Sequence, residues 1–161
     1  IMGLDMYLYA EKRFGFCSWD KEGKDNEKFD KLVEFAELSD VVDKQIGSVS
    51  AYVKVEVGYW RKVNAIHEYF VGNCANGVDE CQEIKVYRET LVALKDICGQ
   101  LSLTKDVEQA KKLLSPKGGF FFGSTEIDEY YFDKIEYTYE LLTKILENTP
   151  EDYDFIYRAS W

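Results

Sequence analysis

The segment 48-SVSAYVKVEV-57 alternates apolar and polar side chains more regularly than any other stretch of this chain. Its odd-numbered residues are valine or alanine, and its even-numbered residues are serine, tyrosine, lysine or glutamate. A period of two is typical of a strand with one buried face, and valine favours strands. The segment therefore predicts a β-strand near the middle of the chain.

Other stretches of the chain predict further strands. Residues 4–10 alternate in the same way, and the C-terminal segment DFIYRASW predicts a last strand over residues 154–160. Three consecutive phenylalanines between glycines predict a short buried strand over residues 119–122. Apolar stripes at helical spacing predict helices between these strands, including one from Arg88 to Cys98 that Gly99 stops and a long one capped by Asp128.

The order of these elements indicates a fold class. Strands fall at both ends and near the middle, and the strand–helix–strand signature of a dinucleotide fold is absent. We predict one α+β domain over residues 1–161, with an antiparallel or mixed sheet and helices packed on it. Its strands are expected near residues 4–10, 48–57, 119–122 and 154–160.

The composition limits the classes of function. The formal charge of −10 argues against binding to a nucleic-acid backbone, and it is compatible with a basic protein partner. No apolar run approaches the roughly 20 residues that span a bilayer. No signal sequence opens the chain, so we expect a cytoplasmic protein whose natural start is Met2.

Metal and cofactor motifs are not apparent in the sequence. The four cysteines form no CxxC pair, and one histidine does not build a familiar zinc site with them. We expect free thiols, with a disulfide between Cys74 and Cys81 as the alternative. The glycine spacing fits neither a P-loop nor a G-x-S-x-G motif, so we expect no cofactor and no metal.

The segment 58-GYWRKVNAIHEYF-70 contains the only histidine of the chain. We predict that Gly58 ends the central strand and that a helix covers residues 59–71. On this helix, the buried stripe would consist of Tyr59, Val63, Ile66 and Phe70. A second stripe on the neighbouring face would consist of Trp60, Asn64 and His67, with Arg61 beside it.

This second stripe predicts a ligand-binding face. It offers an aromatic surface, an amide and an imidazole, and the guanidinium of Arg61 can pair with phosphate or carboxylate. A planar heterocycle that carries phosphate matches the set, and a helix that starts after Gly58 would present free N–H groups to an anion. Two alternatives stay open: the side chains satisfy the backbone of a loop, or His67 acts as a general base.

Two more stretches contribute candidate residues. The segment GGFFFGSTEIDE places Phe122, Ser124 and Thr125 between flanking glycines and a predicted helix start, and glycines permit close approach of a ligand. Arg158 and Trp161, at the C-terminus, would complete an aromatic and basic pocket. The predicted ligand-binding residues are Trp60, Arg61, Asn64, His67, Phe122, Ser124, Thr125, Arg158 and Trp161.

Three motifs together resemble a family of small proteins encoded by bacteriophages and prophages. They are MGLDMYL near the start, GYWRKxNxIH in the middle and GFFFGSTE in the last third, and the similarity spans nearly the whole chain. The resemblance implies a phage accessory protein that acts in the cytoplasm of the infected bacterium. It carries over no catalytic residue.

These observations predict binding rather than catalysis. We expect a non-catalytic protein that sequesters a nucleotide-type small molecule, a host immune signal, and so evades bacterial defence. The first alternative is an acidic inhibitor of a host or defence enzyme, of the anti-CRISPR or anti-restriction type. The second is a nucleotide-processing enzyme that uses His67. We expect no direct nucleic-acid or membrane binding, and self-association into a homo-oligomer stays open.

Overall fold

The computed structural model describes residues 3–161, so that Met2, the expected natural start, lies outside the described residues. Within that range the strands are β1 (Asp5–Cys17), β2 (Ser48–Arg61), β3 (Ile84–Val86) and β4 (Asp154–Ser160). The α-helices are α1 (Asn26–Phe35), α2 (Asn64–Cys74), α3 (Arg88–Thr104), α4 (Val107–Leu113) and α5 (Glu129–Asn148).

The strands form one antiparallel sheet in the order β2-β1-β4-β3, so the central strand of the sequence lies at an edge of the sheet. In the pairing of β3 with β4, Ile84 lies opposite Tyr157 and Val86 opposite Phe155, and all four side chains are buried. The predicted α+β class is confirmed. The strands expected near residues 4–10, 48–57 and 154–160 are present, and β1 and β2 both extend beyond the predicted bounds.

The strand predicted over residues 119–122 is wrong, because these residues form a turn. The N–H of Phe122 donates to the carbonyl of Gly119 at 3.1 Å, and Gly123 has a φ of +87°. Three adjacent phenylalanines cannot all face one core in such a turn. Phe122 is buried, Phe121 is half-buried, and Phe120 is 94% exposed.

Gly58 does not end β2, which continues to Arg61. A Cβ at Gly58 would lie 3.3 Å from the Cβ of Leu8, so the glycine permits close packing within the sheet. The chain turns at Lys62, which has a φ of +54°, and α2 begins at Asn64. The helix predicted over residues 59–71 is therefore wrong in its first turn.

The helices α3 and α5 pack closely against each other. Gly99 does not stop α3 as predicted, because it is the point of closest approach: a Cβ there would lie 2.9 Å from the ring of Tyr139 on α5. The predicted cap of α5 is confirmed, since a carboxylate oxygen of Asp128 accepts the N–H of Tyr131 at 3.0 Å. The apolar stripe of this helix is buried: Tyr131, Ile135, Leu142 and Ile145.

Contacts divide the chain into two compact units. The large unit consists of the described residues up to Ala10 together with Glu56–Trp161, and the small unit is Glu11–Val55. The small unit contains α1 and the portions of β1 and β2 that flank it in sequence. The expectation that residues 1–161 behave as one domain stays a prediction. None of the helices in the described range is long and apolar enough to cross a membrane.

Candidate functional site

Trp60 is a core residue of the large unit. It lies on β2 rather than on a helix, and its side chain is only 1% exposed. The indole N–H donates to Oγ1 of Thr138 at 3.0 Å, and the ring lies 6.1 Å from that of Phe70. The expectation that Trp60 shares an accessible helix face with Asn64 and His67 is therefore wrong.

Asn64 holds the loop that contains the three phenylalanines. Its amide nitrogen donates to the carbonyls of Phe122 and Ser124, both at 2.9 Å, and its amide oxygen accepts the N–H of Lys117 at 3.1 Å. The side chain is buried at the start of α2. These contacts satisfy loop backbone, which is the first alternative that the sequence left open.

Replacing Asn64 with alanine should lower the free energy of unfolding by about 2–3 kcal/mol, because three backbone groups of the loop lose their partner. Urea unfolding measures the loss, and faster amide exchange over residues 117–124 should accompany it. The matched control is Asn73→Ala on the same helix, whose exposed amide donates only to the carbonyl of Tyr69. Equal stability of the two variants would contradict this role of Asn64.

His67 is buried and lies in a chain of hydrogen bonds. Its Nδ1 is 2.7 Å from the hydroxyl of Tyr157, and its Nε2 is 3.0 Å from a carboxylate oxygen of Asp79. The other carboxylate oxygen of Asp79 accepts the indole N–H of Trp161 at 3.2 Å. The imidazole also meets the ring of Phe122 edge-on at 5.2 Å. The structure thus brings His67, Phe122 and Trp161 together, and Asn64 hydrogen-bonds the same loop at Phe122 and Ser124.

The proton positions in this chain follow from the partners. A carboxylate only accepts, so the proton of a neutral imidazole lies on Nε2, and Nδ1 accepts the hydroxyl proton of Tyr157. Burial raises the pKa of Tyr157 well above its usual value, and the nearby charge of Asp79 raises it further. Tyr157 therefore stays a neutral donor, and both nitrogens of His67 are occupied by the protein itself.

The remaining predicted residues do not gather into one pocket. Arg61 pairs with Asp5 at 3.1 Å, and Arg158 donates to the carbonyl of Cys81 at 3.3 Å. Ser124 and Thr125 are exposed. The cavity that Ser124 lines with Asn64 has a volume of about 40 Å³, far below the roughly 300 Å³ at the lower end of ligand sites.

The cysteines and acidic residues form no metal site in the described part of the chain. Cys17, Cys74, Cys81 and Cys98 are free thiols, so the alternative of a disulfide between Cys74 and Cys81 is not realised. Cys98 is buried, and burial raises its pKa to about 12, so this thiol is protonated and unreactive at neutral pH.

The small unit contains a larger cleft between α1 and β2. Its volume is about 780 Å³, within the roughly 300–1,000 Å³ typical of ligand sites. One wall is α1 with the segment that follows it, and the other is formed by residues 49–54 of β2. Most of the lining side chains are apolar, including Phe29, Leu32, Phe35, Leu38, Val41 and Val49.

The apolar side chains are anchored at the base of the cleft and exposed at its mouth. The ring of Phe29 is buried and lies 5.6 Å from that of Phe16. At the mouth, Phe35 is 89% exposed, and Leu38 and Val41 are exposed as well. Contiguous exposed apolar side chains are uncommon on a soluble monomer and mark sites of interaction.

The rim of the cleft is acidic on the side of α1 and the segment that follows it, whereas the β2 wall contributes the basic side chain of Lys54. Residues 32–43 contain four acidic side chains and neither lysine nor arginine; the four are Glu34, Glu37, Asp40 and Asp43. All four are exposed. Asp43 also accepts the N–H of Gln45 at 2.9 Å and so fixes the end of this segment. The acidic side of this rim attracts cationic groups.

The sequence pattern did not indicate the cleft. The helical stripe of α1 explains the inward positions of Phe29 and Val33, but it leaves Phe35 on another face. A large aromatic side chain off the stripe, followed by Leu38 and Val41 in an acidic segment, is the signal that could have identified it. The partners of His67 were missed as well, because Asp79 and Tyr157 are distant from it in sequence.

Comparisons with known proteins yield no match to a family model, to a curated protein or to a solved structure.

Proposed function

We propose that this protein is a non-catalytic binding protein that inhibits another protein by taking an apolar segment of it into the cleft of the small unit. The observation that supports this function is the cleft itself, about 780 Å³ in volume and with Phe35 89% exposed at its mouth. Burial of this ring against a partner would remove apolar surface from water, and aromatic side chains are frequent anchors of interfaces. It is a form of the first alternative that the sequence left open, an acidic inhibitor of a host or defence enzyme.

Sequestration of a nucleotide-type molecule has less support. The ring expected to stack on the base, that of Trp60, is in the core. The amide of Asn64 is occupied by loop backbone, and Arg61 is paired with Asp5. A nucleotide would have to use exposed side chains such as Arg158 and Trp161, beside which none of the described cavities lies.

Catalysis by His67 also has less support. A general base needs a ring nitrogen within hydrogen-bond reach of the substrate. Both nitrogens of His67 already have partners in the chain, and the side chain is buried. The geometry therefore favours a structural role for this histidine.

The resemblance to phage-encoded proteins is the reason to expect that the partner belongs to a bacterial host. Under this proposal the protein is a phage accessory protein, and its target is a host or defence enzyme with a basic surface. The acidic rim at residues 34–43 favours such a target.

Two exposed phenylalanines provide the test. Phe35 is 89% exposed in the small unit and Phe120 is 94% exposed in the large unit, so Phe35→Ser and Phe120→Ser are chemically matched. Bacterial lysate is passed over immobilised parent protein and both variants, and captured proteins are identified and quantified by mass spectrometry. We expect a partner that the parent and Phe120→Ser capture equally, and that Phe35→Ser captures at least about tenfold less.

Three results would overturn the proposal. A partner that is lost only with Phe120→Ser would move the site to the phenylalanine loop. Capture that is the same for the parent and Phe35→Ser would exclude the cleft. The third result comes from calorimetry of the parent against cyclic and linear nucleotides. Tight binding that Phe35→Ser leaves unchanged would favour sequestration of a nucleotide instead.

A further inference from the structure

We infer that the cleft of the small unit binds an extended segment that carries lysine or arginine, and that this segment adds to the sheet as a further strand along the edge of β2. The inference rests on the proposed protein-binding function. It specifies the conformation and the charge of the part of the partner that enters the cleft.

The first reason is the position of β2 in the sheet. Its only neighbour in the described sheet is β1, so its other side is an edge. An edge strand directs the N–H and C=O groups of alternate residues away from the sheet, and these groups can pair with a strand from another chain. Addition of a peptide to such an edge is a common mode of recognition.

The second reason is the relation of the cleft to that edge. Residues 49–54 all line the cleft, although the side chains of a strand alternate between its two faces. A cavity bordered by six consecutive residues therefore follows the main chain of the strand. Its length along β2 is about 20 Å for six residues, which matches a bound segment of similar length. Apolar side chains of α1 form the opposite wall and can receive alternate side chains of that segment.

A helical segment fits the cleft less well. A helix satisfies its own backbone and offers no partner to the N–H and C=O groups of an edge strand. Covering the edge of β2 with a helix would remove these groups from water without replacing their hydrogen bonds, which is unfavourable. The β2 wall also contains polar residues, Ser50 and Lys54, which suit a strand better than the apolar stripe of a helix.

Charge decides between a foreign segment and a second copy of this chain. Two copies that met at this edge would bring two acidic rims together, and the whole chain has a formal charge of −10. Like charges oppose such a pairing. A segment with lysine or arginine next to its apolar residues is complementary to Glu34, Glu37 and Asp40 in the acidic segment on the α1 side. Lys54 is the one basic side chain among the described residues that line the cleft.

The test uses a fluorescent peptide of about nine residues that alternates lysine and valine, a length that covers an edge of six residues with short overhangs. Fluorescence anisotropy measures its binding to the parent protein, and amide hydrogen exchange is measured over residues 48–56. We expect binding, with exchange at alternate residues of 49–54 slowed at least about tenfold because these amides become donors to the peptide.

Two control peptides test separately the backbone hydrogen bonds and the charge that the inference requires. Methylation of alternate backbone nitrogens removes about three hydrogen bonds and should weaken binding at least about tenfold. Glutamate in place of lysine should weaken it by a similar factor at low salt. Phe35→Ser should abolish binding and Phe120→Ser should not, which separates binding in the cleft from general attraction between opposite charges.

Several outcomes would overturn the inference. These are failure of the alternating peptide to bind, equal binding of the methylated peptide, and unchanged amide exchange along β2. Tighter binding of a lysine and valine peptide with helical spacing would show that a helix occupies the cleft. Concentration-dependent dimerisation that protects the same amides would make a second copy the occupant. In each case, a partner whose capture depends on Phe35 would still support the proposed function.

Discussion

Replacing Trp60 with alanine should lower the free energy of unfolding by about 4 kcal/mol, because a fully buried indole is removed from the core. The side chain is 1% exposed, packs near Phe70 and donates to Thr138. Chemical unfolding followed by circular dichroism in the far ultraviolet measures the change. Trp60→Phe keeps an aromatic ring and loses only the indole N–H and some volume, so it should cost about 1–2 kcal/mol.

The matched control is the same substitution at an exposed tryptophan. Trp19 is 72% exposed in the small unit, and Trp19→Ala should change the free energy of unfolding by less than about 1 kcal/mol. If Trp60→Ala were as stable as the parent, Trp60 would have to be accessible, and a role in stacking on a ligand would return. A loss of ligand binding in Trp60→Ala should be interpreted only after its stability is known.

Replacing His67 with alanine should lower the free energy of unfolding by about 3 kcal/mol, because the buried hydroxyl of Tyr157 and the carboxylate of Asp79 both lose a partner. Urea unfolding at neutral pH measures the loss. Glu68→Ala is the control on the same helix, since Glu68 makes only a surface ion pair with Lys117 at 2.8 Å. Such pairs contribute about 0–1 kcal/mol.

A double-mutant cycle tests whether His67 and Tyr157 act as a pair. Tyr157→Phe removes the hydroxyl but keeps the ring that stacks on Phe70 at 4.3 Å. When Tyr157 is already phenylalanine, loss of His67 no longer leaves a buried hydroxyl without a hydrogen-bond partner. The two changes together should therefore cost about 1–2 kcal/mol less than the sum of the single changes. Purely additive effects would argue against the hydrogen bond, and an unchanged stability of His67→Ala would reopen a catalytic role.

Three of the four described strands, β1, β2 and β4, could be predicted from local sequence. Alternation identifies β1 and β2, and the C-terminal segment DFIYRASW identifies β4. The alternation does not show where β2 ends, because Trp60, Asn64 and His67 also fit helical spacing. The turn that separates strand from helix lies at Lys62, whose positive φ is not indicated by its residue type.

The sequence predicts that Gly58 and Gly99 each end an element, and both lie inside one. Each permits close packing against a distant side chain, Leu8 for the first and Tyr139 for the second. A glycine that ends an element and a glycine that lets two elements approach look the same in a single sequence. Only the distant partner distinguishes them, and its position depends on the complete fold.

The candidate site was predicted in part. The sequence identified Asn64 and His67 as informative side chains, and both make buried hydrogen bonds. It could not identify their partners, because His67 and Tyr157 are 90 residues apart. An amide and an imidazole that satisfy their own chain cannot be told from a ligand-binding pair by residue type alone.

The three tryptophans lie in three different environments, so their fluorescence should respond differently to a quencher. Trp60 is shielded in the core, Trp161 is partly shielded beside Asp79, and Trp19 is exposed over Gly47. Acrylamide should therefore quench the emission of Trp19 first. Because Trp19 is the only tryptophan of the small unit, the emission that is lost in Trp19→Phe belongs to that unit. Conformational changes of that unit can then be followed by intrinsic fluorescence without an added label.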